Sequence, residues 1–292
     1  MVDLQFTTTP DGRQLEYAVS GPVDAPVLLL QVGTPNAAQI FRAIAEPAAE
    51  VGLRTVSYSR PGYGSSTAKP GRCVADVRAD IEVIADAVGA DDFITLGWFG
   101  GGPHALATAA LLPNRCRGAA LLASIAPYPA QGLDYLSGMD ESNVSEFTAA
   151  FAGLDALTAE LEPMASTFTG LTGEQVSGSL HGLLSEVDRA ALTGEFADEM
   201  ADALRRSVAS GIAGWRDDDL AFVKDWGFDL KQVEVPVAVW QGTHDRMVPF
   251  DHGRWLAANL PNARPHLLDE HGHISLVQNA ADIMADLVAH RT

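Results

Sequence analysis

Residues 97–102, Gly97-Trp98-Phe99-Gly100-Gly101-Gly102, have the spacing of the G-x-S-x-G turn that presents a nucleophilic serine between a strand and a helix. An apolar run (Phe93, Ile94, Leu96) precedes the turn, and a helix-like run over 104–112 follows it. Phe99 stands where the serine belongs. The glycines fit this geometry because strand and helix backbones come so close here that a Cβ would clash. Two more chemical groups follow strand-like runs: Asp245, within Gly242-Thr243-His244-Asp245-Arg246-Met247-Val248-Pro249, and His273, within His271-Gly272-His273. Turn, acid and histidine in that chain order form the apparatus in which a carboxylate orients an imidazole and the imidazole takes a hydroxyl's proton. A benzene ring has no such proton, so serine-type acyl transfer is expected to fall by several orders of magnitude. The acid–imidazole pair alone still supports proton transfer. Ser65, Ser66, Ser124 and Thr243 are better explained as polar groups of turns and strand ends than as replacement nucleophiles.

The elements that must position these groups follow from hydrophobic periodicity. Apolar runs at 15–19, 27–32, 54–58, 93–98 and 119–123 read as strands, with amphipathic helices between them, one marked by Val77, Ile81, Ile84 and Val88. That alternation calls for a mostly parallel sheet covered on both faces, an α/β fold. From about residue 131 to 226 the strand signal gives way to helical, acidic sequence broken by Gly and Pro. Strands resume at 235–240 and 264–268, and Leu276, Ile283 and Leu287 share a closing helical face. The division expected is a core of 1–130 and 227–292 with a helical cap of 131–226 inserted in it. Asp245 and His273 then fall at the carboxyl edge of the sheet, where such folds build their sites.

Within the expected cap, Trp215, Phe222, Trp226 and Phe228 cluster near its end, and Tyr128, Tyr135 and Phe147 lie near its start. Packing is the main role expected of them, with an apolar cleft between cap and core as the sharper reading. Asp217-Asp218-Asp219 and Glu141 could meet a substrate amine, but such acid runs are better read as solvated faces.

The chain carries 19 Lys+Arg against 38 Asp+Glu, a formal net charge of −19, which argues against a nucleic-acid partner or an anionic membrane. Cys73 and Cys116 have neither the number nor the spacing of a disulfide framework or a zinc site. No apolar run reaches membrane-spanning length, and residues 1–6 lack the basic and apolar segments of a leader, so a cytoplasmic protein is expected. The sequence contains no cofactor or metal motif, and a monomer or homodimer is expected.

Over nearly its whole length the chain resembles the α/β-hydrolase superfamily, in particular its bacterial prolyl-aminopeptidase and esterase-like branch. The likeness lies in Gly33-Thr34-Pro35, Arg60-Pro61-Gly62-Tyr63-Gly64-Ser65, the turn with its extension Gly102-Pro103-His104-Ala105-Leu106-Ala107, the acid loop, and Gly272-His273-Ile274-Ser275. The resemblance implies an α/β-hydrolase fold with a helical cap. It assigns Asp245 as the acid, His273 rather than His271 as the base, and Thr34 and Gly100 as the positions whose backbone N–H groups form the oxyanion hole. Three positions depart from the pattern. Val32 replaces the usual His before Gly33, Ser59 the usual Asp before Arg60, and Phe99 the nucleophile. With Trp98, Val32 and Ser59 are expected to line the pocket, remodelled as a unit by natural divergence rather than by one substitution.

The function expected is a cofactor-free enzyme acting on a small apolar substrate: a lyase, isomerase, cyclase or direct-water hydrolase. His273 would be its base, Asp245 the orienting acid, and Phe99 a wall of the pocket. A serine hydrolase of esters, lactones or N-terminal peptides with a substituted nucleophile, and a non-catalytic small-ligand-binding protein, are the alternatives.

Overall fold

The computed structural model describes residues 3–180 and 182–289. Its strands are β1 (Leu4–Thr8), β2 (Gln14–Ser20), β3 (Val27–Gln31), β4 (Arg54–Tyr58), β5 (Phe93–Trp98), β6 (Cys116–Leu122), β7 (Val237–Gly242) and β8 (Ala263–Leu268). They form one sheet in the order β1-β2-β4-β3-β5-β6-β7-β8. β1 and β2 run antiparallel to their neighbours and the rest are parallel. The strands β3, β4 and β5 are buried along their whole length. That is why β3 and β5 read as largely apolar runs, since a parallel sheet is covered on both faces. β1 escapes the hydropathy pattern because it lies at the sheet edge with most of its side chains in solvent, and its place is fixed by backbone pairing with β2.

The helices are α1 (Arg42–Glu50), α2 (Val77–Ala87), α3 (Gly101–Leu111), α4 (Glu141–Ala152), α5 (Leu154–Phe168), α6 (Gly173–Ser179), α7 (Glu186–Ala191), α8 (Gly194–Val208), α9 (Ala213–Phe222), α10 (Phe250–Asn259) and α11 (Ala280–Ala289). Residue alternation along the strands splits the core. Leu28 and Leu30 pack with Ile44 of α1 and Ile283 and Leu287 of α11, while Val27 and Leu29 pack with Ile81 and Ile84 of α2, Leu106 of α3 and Leu256 of α10. Helices α4 to α9 all fall between β6 and β7, in the stretch whose sequence lacks strand signal. Among the described residues, no helix is long and apolar enough to cross a membrane.

Helix α3 begins three residues earlier than its hydropathy suggests. Its first residue, Gly101, lies against the end of β3, where an added Cβ would sit 1.8 Å from the Gln31 carbonyl oxygen. The approach requires glycine there, and its low helix propensity costs little in a first turn whose N–H groups lack helical partners in any case.

Candidate functional site

The turn between β5 and α3 passes from strand to helix through a residue in the left-handed region. Phe99 sits at φ 53°, a left-handed conformation rare for a residue with a bulky side chain. Two backbone hydrogen bonds hold it there: Phe99 N–H donates to the Leu122 carbonyl at 2.9 Å, and Gly102 N–H to the Phe99 carbonyl at 3.0 Å. The ring packs on the β3 loop, since a Cβ on Gly33 would stand 3.3 Å from Phe99 Cβ and Cδ1. It therefore fills space between the loop carrying Thr34 and the imidazole of His273, whose ring centroid is 5.1 Å away at 86°.

Asp245 and His273 are brought together. His273 Nδ1 lies 3.0 Å from Asp245 Oδ2, both residues being buried. The carboxylate is saturated by donors: Met247 and Val248 N–H at 2.9 and 2.8 Å on Oδ1, and Gln241 Nε2 at 3.0 Å on Oδ2. A neutral imidazole that donates from Nδ1 to such a carboxylate carries its lone pair on Nε2. Trp98 stacks on the same ring at 6.1 Å and 25°, so the imidazole is clamped by a face and an edge.

His273 opens onto a cavity of about 90 Å³. That is room for several waters or one small organic molecule. Its walls combine Trp98, Phe99 and Met247 from the sheet side with Phe168, Met200 and Trp215 from the inserted helices. Thr34 carries the only hydroxyl among the described lining residues, and that hydroxyl donates to Asp218 Oδ2 at 3.0 Å. Ser124 Oγ is turned to the Ile125 carbonyl. Among the described residues that line the cavity, no hydroxyl is left free of a hydrogen-bond partner.

Two of the expected pocket residues lie elsewhere. Val32 is in the core with its carbonyl held by Arg60 Nη1 at 2.6 Å, and Ser59 hydrogen-bonds Glu16 Oε1 at 2.7 Å and accepts from Ala38 N–H. Neither lines the cavity; of the three residues expected there, only Trp98 does. The direction each side chain takes at a strand end separates them, so Val32, Ser59 and Phe99 do not make one remodelled wall. Gly100 is also absent from the lining but abuts Thr34, whose Oγ1 would be 2.4 Å from an added Cβ.

The acidic run Asp217-Asp218-Asp219 is a correction of a different kind. It is no solvated face: the three residues are 3 %, 0 % and 3 % exposed. Asp218 Oδ2 accepts from Arg60 Nε and Nη2 (2.9 and 2.7 Å), Tyr63 Oη (3.1 Å) and Thr34 Oγ1, while Oδ1 accepts from Arg72 Nη2 (2.7 Å). Burial alone would raise this carboxyl, but the Arg60 and Arg72 guanidinium groups, with His104, outweigh it and hold it well below the usual carboxylate range. Arg60 also donates to the carbonyls of Val32 and Gly33 and to Thr34 Oγ1. An acid from α9 thereby fixes the loop that faces Phe99. His104, 3.4 Å from Asp218 Oδ1, is pushed down to about 4 by burial and remains neutral.

The histidine loop is held from the inserted helices as well. Asp188 of α7 accepts from His273 N–H at 3.1 Å, Ile274 N–H at 2.7 Å and Ser275 N–H at 2.9 Å, and from Ser185 Oγ at 2.7 Å. Gly272 is needed for this approach, because a Cβ there would lie 2.2 Å from Asp188 Oδ2. Asp188→Ala would leave the three buried N–H groups of residues 273–275 unmatched, at a cost of about 2–4 kcal/mol. Urea unfolding should register that loss, and hydrogen exchange of the 273–275 amides should quicken more than that of β5.

Sequence reasoning missed Asp188, Arg72 and Glu146. Only the Ser185-x-x-Asp188 capping spacing offered a local signal, and that signal concerns a helix start. Of the aromatic groups singled out, Trp215 reaches the cavity, whereas Tyr128, Tyr135 and Phe147 pack with one another, Phe151 and His252.

A family model described as alpha/beta hydrolase fold matches residues 26–280. Among curated proteins, a 2-hydroxy-6-oxononadienedioate/2-hydroxy-6-oxononatrienedioate hydrolase of Dechloromonas aromatica is 25% identical over 272 residues, covering 89% of this chain and 84% of its own. A pimeloyl-[acyl-carrier protein] methyl ester esterase of Aromatoleum aromaticum is 25% identical over 276 residues, covering 89% and 96%. Among solved structures, a hydrolase from Pseudomonas aeruginosa superposes with a TM-score of 0.69 at 21% identity, covering 99% of this chain and 98% of that one. The epoxide hydrolase CorEH gives 0.73 at 15%, covering 99% and 98%.

Proposed function

The chain belongs to the alpha/beta-hydrolase-fold family, and on that premise we propose that it is a cofactor-free enzyme acting on a small, mainly apolar substrate through the His273–Asp245 pair. The observation that carries this reading is an imidazole fixed by a saturated carboxylate at 3.0 Å beside a cavity with no available hydroxyl nucleophile. His273 Nε2 takes a proton from the substrate, or from a water that attacks it; Asp245 holds the tautomer and stabilises the imidazolium that results. Phe99 limits the space and excludes water. Reactions open to such a site are eliminations, isomerisations, cyclisations and hydrolysis by an activated water.

The test uses deuterium oxide and a panel of small ketones, lactones and esters followed by NMR. Wild-type protein is expected to exchange or convert at least one of them, with His273→Ala slower by about 10²–10⁴-fold and Asp245→Asn also impaired. If no compound reacts faster with wild type than with His273→Ala, the proposal fails. Tight binding without turnover would support the ligand-binding alternative.

A further inference from the structure

We propose that Glu146 is the polar pole of this cavity, an acceptor for the hydroxyl of a small and otherwise apolar ligand. The inference rests on the reading of the cavity as a substrate site and adds to it the class of group that site selects. Glu146, on α4, lines the cavity alongside His273 and Trp98. Its Oε1 accepts from Trp215 Nε1 at 2.6 Å, and its carboxyl also hydrogen-bonds Asp219. A carboxyl has two oxygens, each able to accept more than one hydrogen bond. Trp215 and Asp219 occupy part of that capacity, and Glu146 borders a space whose other walls are mainly Leu, Met, Phe and Trp side chains.

A second group in the same cavity asks for a polar ligand. Trp98 is 4 % exposed and its Nε1–H has no hydrogen-bond partner among the described residues. Buried donors are rarely left so, and a ligand oxygen would satisfy one. A hydroxyl suits this pairing because it donates and accepts. An ammonium would meet Glu146 too, but stripping it of water in so apolar a space costs far more than stripping a neutral hydroxyl.

The electrostatics agree with an acceptor. Burial, together with the neighbouring Glu146 and Asp218 carboxyls, holds Asp219 well above the usual carboxylate range, against the lowering by Arg72. The hydrogen bond between the two carboxyls raises Asp219 and lowers Glu146, the signs of a bond in which Asp219 is donor and Glu146 acceptor. Burial raises Glu146 as well, with Glu160 adding to it, while the hydrogen bonds from Asp219 and Trp215 oppose the rise.

Cyclohexanol and methylcyclohexane, nearly equal in size, separate the hydroxyl's effect from simple apolar filling. NMR titration of wild type should give a preference for cyclohexanol that falls by about fivefold to tenfold in Glu146→Leu, the worth of one hydrogen bond. Methylcyclohexane should bind that variant at least as well, which also reports an intact cavity. Glu146→Gln, which keeps an acceptor, should retain most of the preference. The preference is read by binding alone, without turnover, so that failure of the proton-transfer reading and failure of this one are distinguishable. An unchanged cyclohexanol-to-methylcyclohexane ratio in Glu146→Leu would overturn the assignment.

Discussion

Phe99→Ser is expected to hydrolyse activated esters at least about a thousandfold faster than wild type, given that losing the nucleophile of a serine hydrolase costs about 10⁶ in kcat and that a restored serine recovers only part of it. The backbone needs no change for this. Phe99 already holds φ 53° with both its N–H and carbonyl engaged, a conformation that serine adopts at no greater cost than phenylalanine. The imidazole is also in waiting, with Nδ1 tied to Asp245 at 3.0 Å and its ring beside the Phe99 side chain. Removing the aromatic ring clears the space against Gly33, the loop whose N–H groups would face a developing oxyanion. The check is hydrolysis of p-nitrophenyl acetate together with stoichiometric labelling by a serine-directed phosphonate. Both should vanish in the Phe99→Ser/His273→Ala double variant. A folded Phe99→Ser protein that neither hydrolyses nor labels would mean that the elbow has lost its alignment with His273, and the serine-hydrolase alternative would go with it.

Asp218→Asn is expected to destabilise the protein by about 3–5 kcal/mol, the typical cost of removing one partner from a buried ion pair. Against a total stability of about 5–15 kcal/mol this is severe. Two guanidinium groups, Arg60 and Arg72, are buried with Asp218 as their shared carboxylate, and neither has access to water as a substitute. Asparagine keeps the shape and one acceptor but removes the charge. Asp217→Asn is the internal comparison, because Asp217 meets Arg72 only at 3.4 Å and its loss should cost much less.

The same carboxylate gives a pH signature. Its folded-state pKa lies well below the usual range, so its contribution is present in full above the unfolded value of about 3.9 and drains away as pH falls toward the folded one. Wild type should therefore lose stability steeply below about pH 4, and Asp218→Asn should show a shallower slope there. Denaturant titrations at a series of pH values measure both. Equal slopes would remove Asp218 as a source of acid sensitivity.

The sequence and the structure agree best where a requirement is local. A strand buried on both faces must be apolar throughout, and β3 and β5 announce themselves for that reason. The elbow is legible because its glycines answer to a steric limit within a few residues. Asp245 and His273 are legible because each follows a strand in a fixed chain order. The acidic run was misread for the opposite reason. Three adjacent aspartates look solvated unless one knows that Arg72 and Arg60 arrive from 146 and 158 residues away, and that Glu146 shares a hydrogen bond with the third.

The sequence alone therefore determined the parallel part of the sheet, the helical stretch between β6 and β7, the phenylalanine at the glycine-rich turn and the chain order of Asp245 and His273, all consequences of short-range pattern and covalent identity. Tertiary structure decided how far the site extends. Only packing puts Asp188 under the His273 backbone across 85 residues, sets Glu146 into the cavity, and turns Val32 and Ser59 away from it. Those outcomes depend on which side chains of distant segments meet after the apolar faces are buried, and no spacing along the chain encodes a distance between segments that touch only once the core has formed.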